Sequence, residues 1–140
     1  MCDPRLNIIG TKEASGSFDQ FNQIMRDKPD DFLLISGDDP IAMPMISLGA
    51  VGVISVIGNA LPKQLSNLVR LSLEGNFKAA LPIHLSLIEF TRLMFAEGNP
   101  GCIKAALKNL NICEDHVRLP LVKVSDSLRQ QIIVELQGIS

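Results

Sequence analysis

Near its start the chain carries a short apolar run, Leu6-Asn7-Ile8-Ile9-Gly10-Thr11-Lys12, that ends in polar residues. A run of this length suits a buried strand better than a helix. Ser17-Phe18-Asp19-Gln20 then matches a capping box, in which the Ser and Gln side chains each satisfy a free N–H group at a helix start. We therefore predict a strand and then a helix to about Asp27, whose apolar face contains Phe18, Phe21, Ile24 and Met25.

The alternation of strand and helix repeats twice more along the chain. Phe32-Leu33-Leu34-Ile35-Ser36 predicts a second strand, and Asp39-Pro40 predicts a helix start with Asp39 as its N-cap. Val53-Ile54-Ser55-Val56-Ile57 is rich in β-branched residues and predicts a third strand, after which Pro62 opens a helix that ends near Gly75. This order is typical of an α/β fold with a parallel sheet.

Beyond Gly75 the strand pattern stops. Residues 77–96, 100–110 and 125–137 all have helical periodicity, and Pro82 predicts a kink or a late start in the first of these helices. We therefore divide the chain into residues 1–75, with the strands, and residues 76–140, a helical region.

Composition and charge exclude several classes of protein. The chain has 140 residues, of which 46% are hydrophobic and 20% charged, and its formal net charge of −2 provides no basic field for nucleic acid. The sequence has neither an apolar run of membrane-spanning length nor a signal-peptide pattern at its start, so we expect a cytoplasmic protein. We expect the three cysteines to be free thiols, and the two histidines show no metal-ligand spacing.

Lys12 is the first candidate for chemistry, because it lies where a strand of a parallel sheet should end, and such ends face the functional site. An ammonium group among apolar walls loses hydration, which favours the neutral amine that attacks carbonyl groups. The alternative is a lysine at a strand end that simply reaches solvent.

The other two strands offer further candidates at the same end of the sheet. Gly37 permits a ligand to approach the backbone closely, and Asp38 either contacts a polar substrate group or forms a turn. A backbone carbonyl near Ile54 either lines a pocket or belongs to the core. Because Lys12, Gly37 and Ile54 follow one another at the ends of consecutive strands, one pocket can hold all of them.

Three strings in order carry a resemblance to a known family: residues 9–16 (Ile9 to Gly16), residues 34–39 (Leu34 to Asp39) and residues 52–56 (Gly52 to Val56). Together they closely resemble the dihydrodipicolinate synthase family, within the superfamily of pyruvate-dependent aldolases and N-acetylneuraminate lyase. Phe95-Ala96-Glu97-Gly98-Asn99-Pro100 and Arg118-Leu119-Pro120-Leu121 are similar to the C-terminal helical region of that family. The resemblance runs from Asn7 to the end of the chain.

This resemblance implies the last three strands and helices of a (β/α)8 TIM barrel, followed by a C-terminal helical region. It implies that Lys12 is the catalytic nucleophile, which forms a Schiff base with pyruvate in a lyase that condenses pyruvate with aspartate semialdehyde, on the route to lysine and diaminopimelate. It further places the carbonyl of Ile54 near pyruvate, and Gly37 and Asp38 near the aldehyde. It implies no cofactor and no metal.

The first five strands of the family have no counterpart in this sequence. In the family they supply a Gly-Thr-Thr stretch for the pyruvate carboxylate and a tyrosine that relays protons, whereas this chain has no tyrosine. We therefore expect an enzyme fragment with little activity of its own that self-associates as an oligomer. The alternatives are an interaction module, a half-enzyme that assembles with a separate first half, and a related pyruvate aldolase such as N-acetylneuraminate lyase.

Overall fold

The computed structural model describes residues 7–139, which form two compact units. The first unit contains residues 7–55 and 67–81, and the second contains residues 56–66 and 82–139. Leu6, in the first predicted strand, and Cys2 lie outside the described residues.

The first unit contains two parallel strands, β1 (Gly10–Glu13) and β2 (Leu33–Ser36). In their register Lys12 is paired with Ile35, and Glu13 with Ser36. Because paired residues of parallel strands point to the same side, Lys12 and Ile35 share one face of the sheet, and Glu13 and Ser36 share the other. The two predicted strands and their parallel arrangement are thus present, with shorter bounds.

The third predicted strand, 53–57, is mostly absent. Val53 makes a single parallel bridge to Ser36, and Ile54 donates its N–H to the Ser36 carbonyl at 2.9 Å. Residues 57–59 instead form a 3-10 turn, in which Ile57 is buried. The prediction of a five-residue strand is wrong because β2 ends at Ser36, which leaves the later β-branched residues without a neighbouring ladder on that side.

One layer of helices covers the Ser36 face of the sheet. Helix α1 (Phe18–Asp27) and helix α2 (Ala42–Ser47) pack on β2 through a core of buried side chains: Phe21, Leu34, Met45, Ile46 and Ala50. The predicted apolar face of α1 is confirmed, since Phe18, Ile24 and Met25 pack against this core.

The prediction that Asp39 is an N-cap is wrong. Asp39 is the first residue of a 3-10 turn, Asp39–Ile41, and Asp38 occupies the cap position without a side-chain cap hydrogen bond. The cause is local, because Asp38 keeps extended backbone angles while the chain already turns at Asp39 and Pro40.

Four further helices follow: α3 (Pro62–Leu73), α4 (Phe77–Phe95), α5 (Gly101–Asn109) and α6 (Asp126–Ile139). Pro82 lies inside α4, so the alternative of a late helix start is wrong. Asn76 precedes α4 and accepts the Ala79 N–H through its side chain. The two units divide the chain elsewhere, since residues 67–81 belong to the first unit, and the division near residue 75 stays a prediction.

The core of the second unit is supplied mainly by its helices. Buried residues of α4, α5 and α6 include Leu87, Phe90, Met94, Cys102, Ala106, Leu128 and Ile132. Helices α5 and α6 pack against each other. Cys102 is buried and Cys113 is exposed, and both are free thiols. None of the helices within residues 7–139 combines the length and apolar character that crossing a bilayer requires.

Candidate functional site

Lys12 lies near the end of β1, on the sheet face opposite α1 and α2. Its side chain is exposed, whereas its register partner Ile35 is half-buried. The sequence left two possibilities open, a lysine among apolar walls and a lysine at a strand end that simply reaches solvent. Within the part of the chain that the structure describes, Ile35 provides apolar surface beside Lys12, and the rest of this face is open.

Gly37 is the residue that gives the Lys12 side chain its space. The Gly37 N–H donates to the Glu13 carbonyl at 2.6 Å, which continues the ladder between the two strands by one residue. A Cβ atom built on Gly37 would lie 2.7 Å from the Cε of Lys12 and 2.5 Å from the Cβ of Ala14. Both distances are shorter than any normal contact, so the lysine side chain passes directly over the glycine.

Glu13 organises the turn after Lys12, a role that the sequence did not predict. Its buried carboxylate accepts the Ser15 N–H at 2.7 Å and the side-chain amide of Gln20 at 3.0 Å. Hydrogen bonds from Ser15 and from Gln20 lower the pKa of Glu13, although burial opposes them. The ionised carboxylate therefore ties the end of β1 to the first turn of α1.

This arrangement corrects the predicted capping box. The Ser17 hydroxyl accepts the Gln20 N–H at 3.2 Å, as expected. The reciprocal bond is absent among the described residues, because the Gln20 side chain binds Glu13 and the Ser17 N–H donates to the Ser15 hydroxyl. The only sign in the sequence of the contact between Glu13 and Gln20 was a glutamate seven residues before a glutamine.

Asp38 follows Gly37 and lies beside the turn after β1. One of its carboxylate oxygens is 3.7 Å from the position that a Cβ on Gly16 would take. Gly16 has a φ of +71°, a conformation that glycine adopts at little cost. Burial raises the pKa of Asp38, and the neighbouring charge of Asp39 raises it further. Asp38 is also held by Ser36, whose hydroxyl donates to the Asp38 carbonyl at 2.9 Å.

Ile54 lies beside β2, along the edge opposite the one that pairs with β1 and Lys12. Because Val53 is bridged to Ser36, Ile54 points to the opposite face, which is the face of Lys12 and Ile35. Its side chain is 52% exposed, and that of Leu33 on the same face is 38% exposed. Lys12, Gly37 and Ile54 thus lie on one face of the sheet.

Other chemistries find less support at this face. Among residues 7–139, no three His, Cys, Asp or Glu side chains are grouped as a metal ion would require. The group that this face offers for covalent chemistry is the amine of Lys12, whose side chain passes over Gly37.

Comparison with known proteins decides the family. The model of the dihydrodipicolinate synthetase family matches residues 4–139. The chain belongs to that family. The synthase of Phocaeicola vulgatus, a 4-hydroxy-tetrahydrodipicolinate synthase, is 52% identical over 116 residues, which are 83% of this chain and 39% of that protein. The enzyme of the same name from Parabacteroides distasonis is 46% identical, over 89% of this chain and 44% of its own length.

Solved structures of the family agree in fold. Dihydrodipicolinate synthase from Aquifex aeolicus superimposes with a TM-score of 0.90 at 36% identity, covering 94% of this chain and 45% of that one. The chain therefore matches part of the α/β structure of the synthases and spans less than half of the length of these relatives.

Proposed function

We propose that this chain carries the imine-forming half of a dihydrodipicolinate synthase-type site, in which Lys12 is the nucleophile. The observation that supports this most directly is the approach of the Lys12 side chain to Gly37, on an open face that Ile54 shares. The neutral amine of Lys12 attacks the keto carbon of pyruvate, and loss of water leaves an imine. The derived enamine then attacks the aldehyde of aspartate semialdehyde.

In this proposal Gly37 and Asp38 contact the aldehyde substrate. The backbone carbonyl of Ile54 lies near pyruvate. Asp38 suits a polar contact because its carboxyl group is half-buried and its pKa is raised by burial. No metal and no cofactor take part in these steps, and we place the enzyme in the cytoplasm, in lysine and diaminopimelate biosynthesis.

Borohydride trapping with pyruvate tests the proposal. We expect reduction to leave a stable carboxyethyl group on Lys12, identified by peptide mass spectrometry, and we expect Lys12→Ala to abolish it. Lys28→Ala is the matched control, since Lys28 lies at the end of α1 in the same unit. An adduct on another lysine that survives Lys12→Ala would show that the assignment is wrong.

Turnover by this chain alone should be far below that of a complete synthase. The family's proton relay and carboxylate clamp have no counterpart in this sequence, and positioned acid-base catalysis typically contributes about 10²–10⁴-fold. Steady-state assay beside a full-length homologue measures the difference. Equal turnover would show that the relay and clamp are not needed.

A second candidate is a half-enzyme that assembles with a separate first half. The exposed apolar side chains of Leu33 and Ile54 favour it, because they lie on the Lys12 face with no cover among the described residues. A third is a neighbouring specificity, such as N-acetylneuraminate cleavage. Joining this chain to a homologous first half and assaying both reactions separates these candidates.

A further inference from the structure

The second unit contains a cavity that the Lys12 chemistry does not use. It has a volume of about 430 Å³ and is lined by Pro100, Lys104, His116, Val117, Arg118 and Leu121. This volume lies within the range of small-molecule sites, about 300–1,000 Å³. Pro100 and Arg118 come from the two C-terminal strings that carried the family resemblance, and neither string has a role at Lys12.

The charges around this cavity are unbalanced. Within the described residues of the second unit, the lysines and arginines without a carboxylate partner are Lys63, Lys104 and Arg118, and two of these line the cavity. The nearby carboxylates are engaged elsewhere, because Glu114 pairs with Lys108, and Asp115 pairs with Lys108, Lys123 and Arg129.

A backbone contact holds one of the two cations in place, and the other lies on a closed turn. The Lys104 ammonium donates to the carbonyl of His116, which fixes the end of a long side chain at the cavity wall. The Leu121 N–H donates to the Arg118 carbonyl at 3.0 Å, closing the turn on which the arginine is carried. Because the Lys104 side chain is ordered before a ligand arrives, the entropy cost of binding is reduced.

We propose that this cavity binds a small anion with a doubly charged oxyanion group or two carboxylates, held by Lys104 and Arg118. The planar guanidinium of Arg118 suits two oxygens of one phosphate or carboxylate. Pro100, Val117 and Leu121 provide the apolar surface for the carbon part of such a ligand. The lining residues all belong to the second unit and the proposed Lys12 chemistry uses none of them, so we assign the anion the role of an effector or a stabiliser.

Calorimetric titration of the whole chain at constant ionic strength tests this site with two probes, inorganic phosphate and succinate. Binding of phosphate indicates a phosphate ligand, and binding of succinate a dicarboxylate. We expect Lys104→Gln and Arg118→Gln each to weaken binding roughly 10-fold or more, because each removes a charge-assisted hydrogen bond. Amide NMR shifts should change at residues 104, 116–119 and 121.

Lys63→Gln is the matched control, since it removes one exposed positive charge of the same unit away from the cavity. It should leave the affinity unchanged. The proposal is wrong if neither probe binds, if the two cavity variants bind as the original chain does, or if Lys63→Gln weakens binding equally. Circular dichroism confirms that each variant is folded, and Lys12→Ala should bind both probes normally.

Discussion

Gly37 leaves room for the Lys12 side chain because glycine has no Cβ atom. A Cβ atom on Gly37 would meet the Cε of Lys12 and the Cβ of Ala14, which is in the turn after β1. A side chain of any size at position 37 has to displace one of these neighbours. Glu13 limits that displacement, because its buried carboxylate anchors the same turn to Gln20.

We expect Gly37→Ala to reduce pyruvate trapping at Lys12 roughly 10–100-fold, since displacing a reacting group by about 1 Å can cost that much. The added methyl group should also lower the free energy of unfolding by about 1–3 kcal/mol, as overpacking does. Trapping yield by mass spectrometry and denaturant unfolding measure the two effects.

Gly138→Ala is the control for this variant, because a Cβ at Gly138 meets nothing within 4 Å. The double variant Ala14→Gly with Gly37→Ala removes the contact with Ala14 and keeps those with Lys12 and the Glu13 carbonyl oxygen. It should recover part of the stability while trapping stays low. If the folded Gly37→Ala chain traps pyruvate as well as the original, Gly37 does not determine the position of Lys12.

At the scale of elements, one buried carboxylate joins α5, α6 and the segment between them. The Asp115 carboxylate accepts hydrogen bonds from Lys108 of α5 at 3.2 Å, from Lys123 at 2.9 Å and from Arg129 of α6 at 2.7 Å. Its side chain is 3% exposed. Hydrogen bonds from Lys123, Arg129 and Lys108 hold the pKa of Asp115 far below its usual range, although burial opposes them.

We expect Asp115→Asn to lower the free energy of unfolding by about 1–3 kcal/mol at pH 7, because three cations lose their charge-assisted partner. A lowered pKa in the folded state stabilises the fold at pH values above the unfolded pKa, near 3.9. The difference between the two chains should therefore be constant from pH 6 to 8 and shrink as the pH falls below about 4. Urea unfolding at each pH measures it.

Glu114→Gln is the matched control, since Glu114 is adjacent and also binds Lys108, but its side chain is 65% exposed. Exposed pairs of this kind contribute roughly 0–1 kcal/mol. A loss with Glu114→Gln as large as with Asp115→Asn, or a loss with Asp115→Asn that grows at low pH, would contradict the role given to Asp115.

At the scale of the whole molecule, the Lys12 face of the sheet presents apolar side chains to water. Leu33 and Ile54 are exposed there, and β1 has a neighbouring strand on one side only among the described residues. Leaving a few hundred Å² of apolar surface in water forgoes several kcal/mol at about 25 cal/mol per Å². Open strand edges also offer free N–H and C=O groups to another chain.

We therefore expect the chain to self-associate at micromolar concentration, as measured by sedimentation velocity. Leu33→Glu should shift the distribution toward monomer, because it places a charge on the open face. Asn22→Glu, on the exposed side of α1, adds the same charge elsewhere and should change little. A cooperative monomer with no tendency to associate would refute this expectation.

Co-expression with a homologous first half separates self-association from completion of the barrel. We expect the first half to suppress self-association and to raise pyruvate trapping at Lys12. Unchanged association and unchanged trapping would contradict the half-barrel interpretation.

The sequence by itself determined the kind and order of most elements. Phe18, Phe21, Ile24 and Met25 recur at helical spacing and form the buried side of α1, because side chains three and four residues apart share a helix face. The two apolar runs before Lys12 and Gly37 became parallel strands, since a helix between them brings the chain back in the same direction.

Only the tertiary structure decided the contacts that depend on register and burial. The distance between Lys12 and Gly37 follows from the pairing of Lys12 with Ile35, and a shift by one residue would turn the lysine to the helix side. The burial of Glu13 and Asp115, and the loss of the strand after Val53, likewise depend on partners that lie on different elements of the fold. Local patterns cannot specify these features, because their free energies come from groups that meet only after the chain has folded.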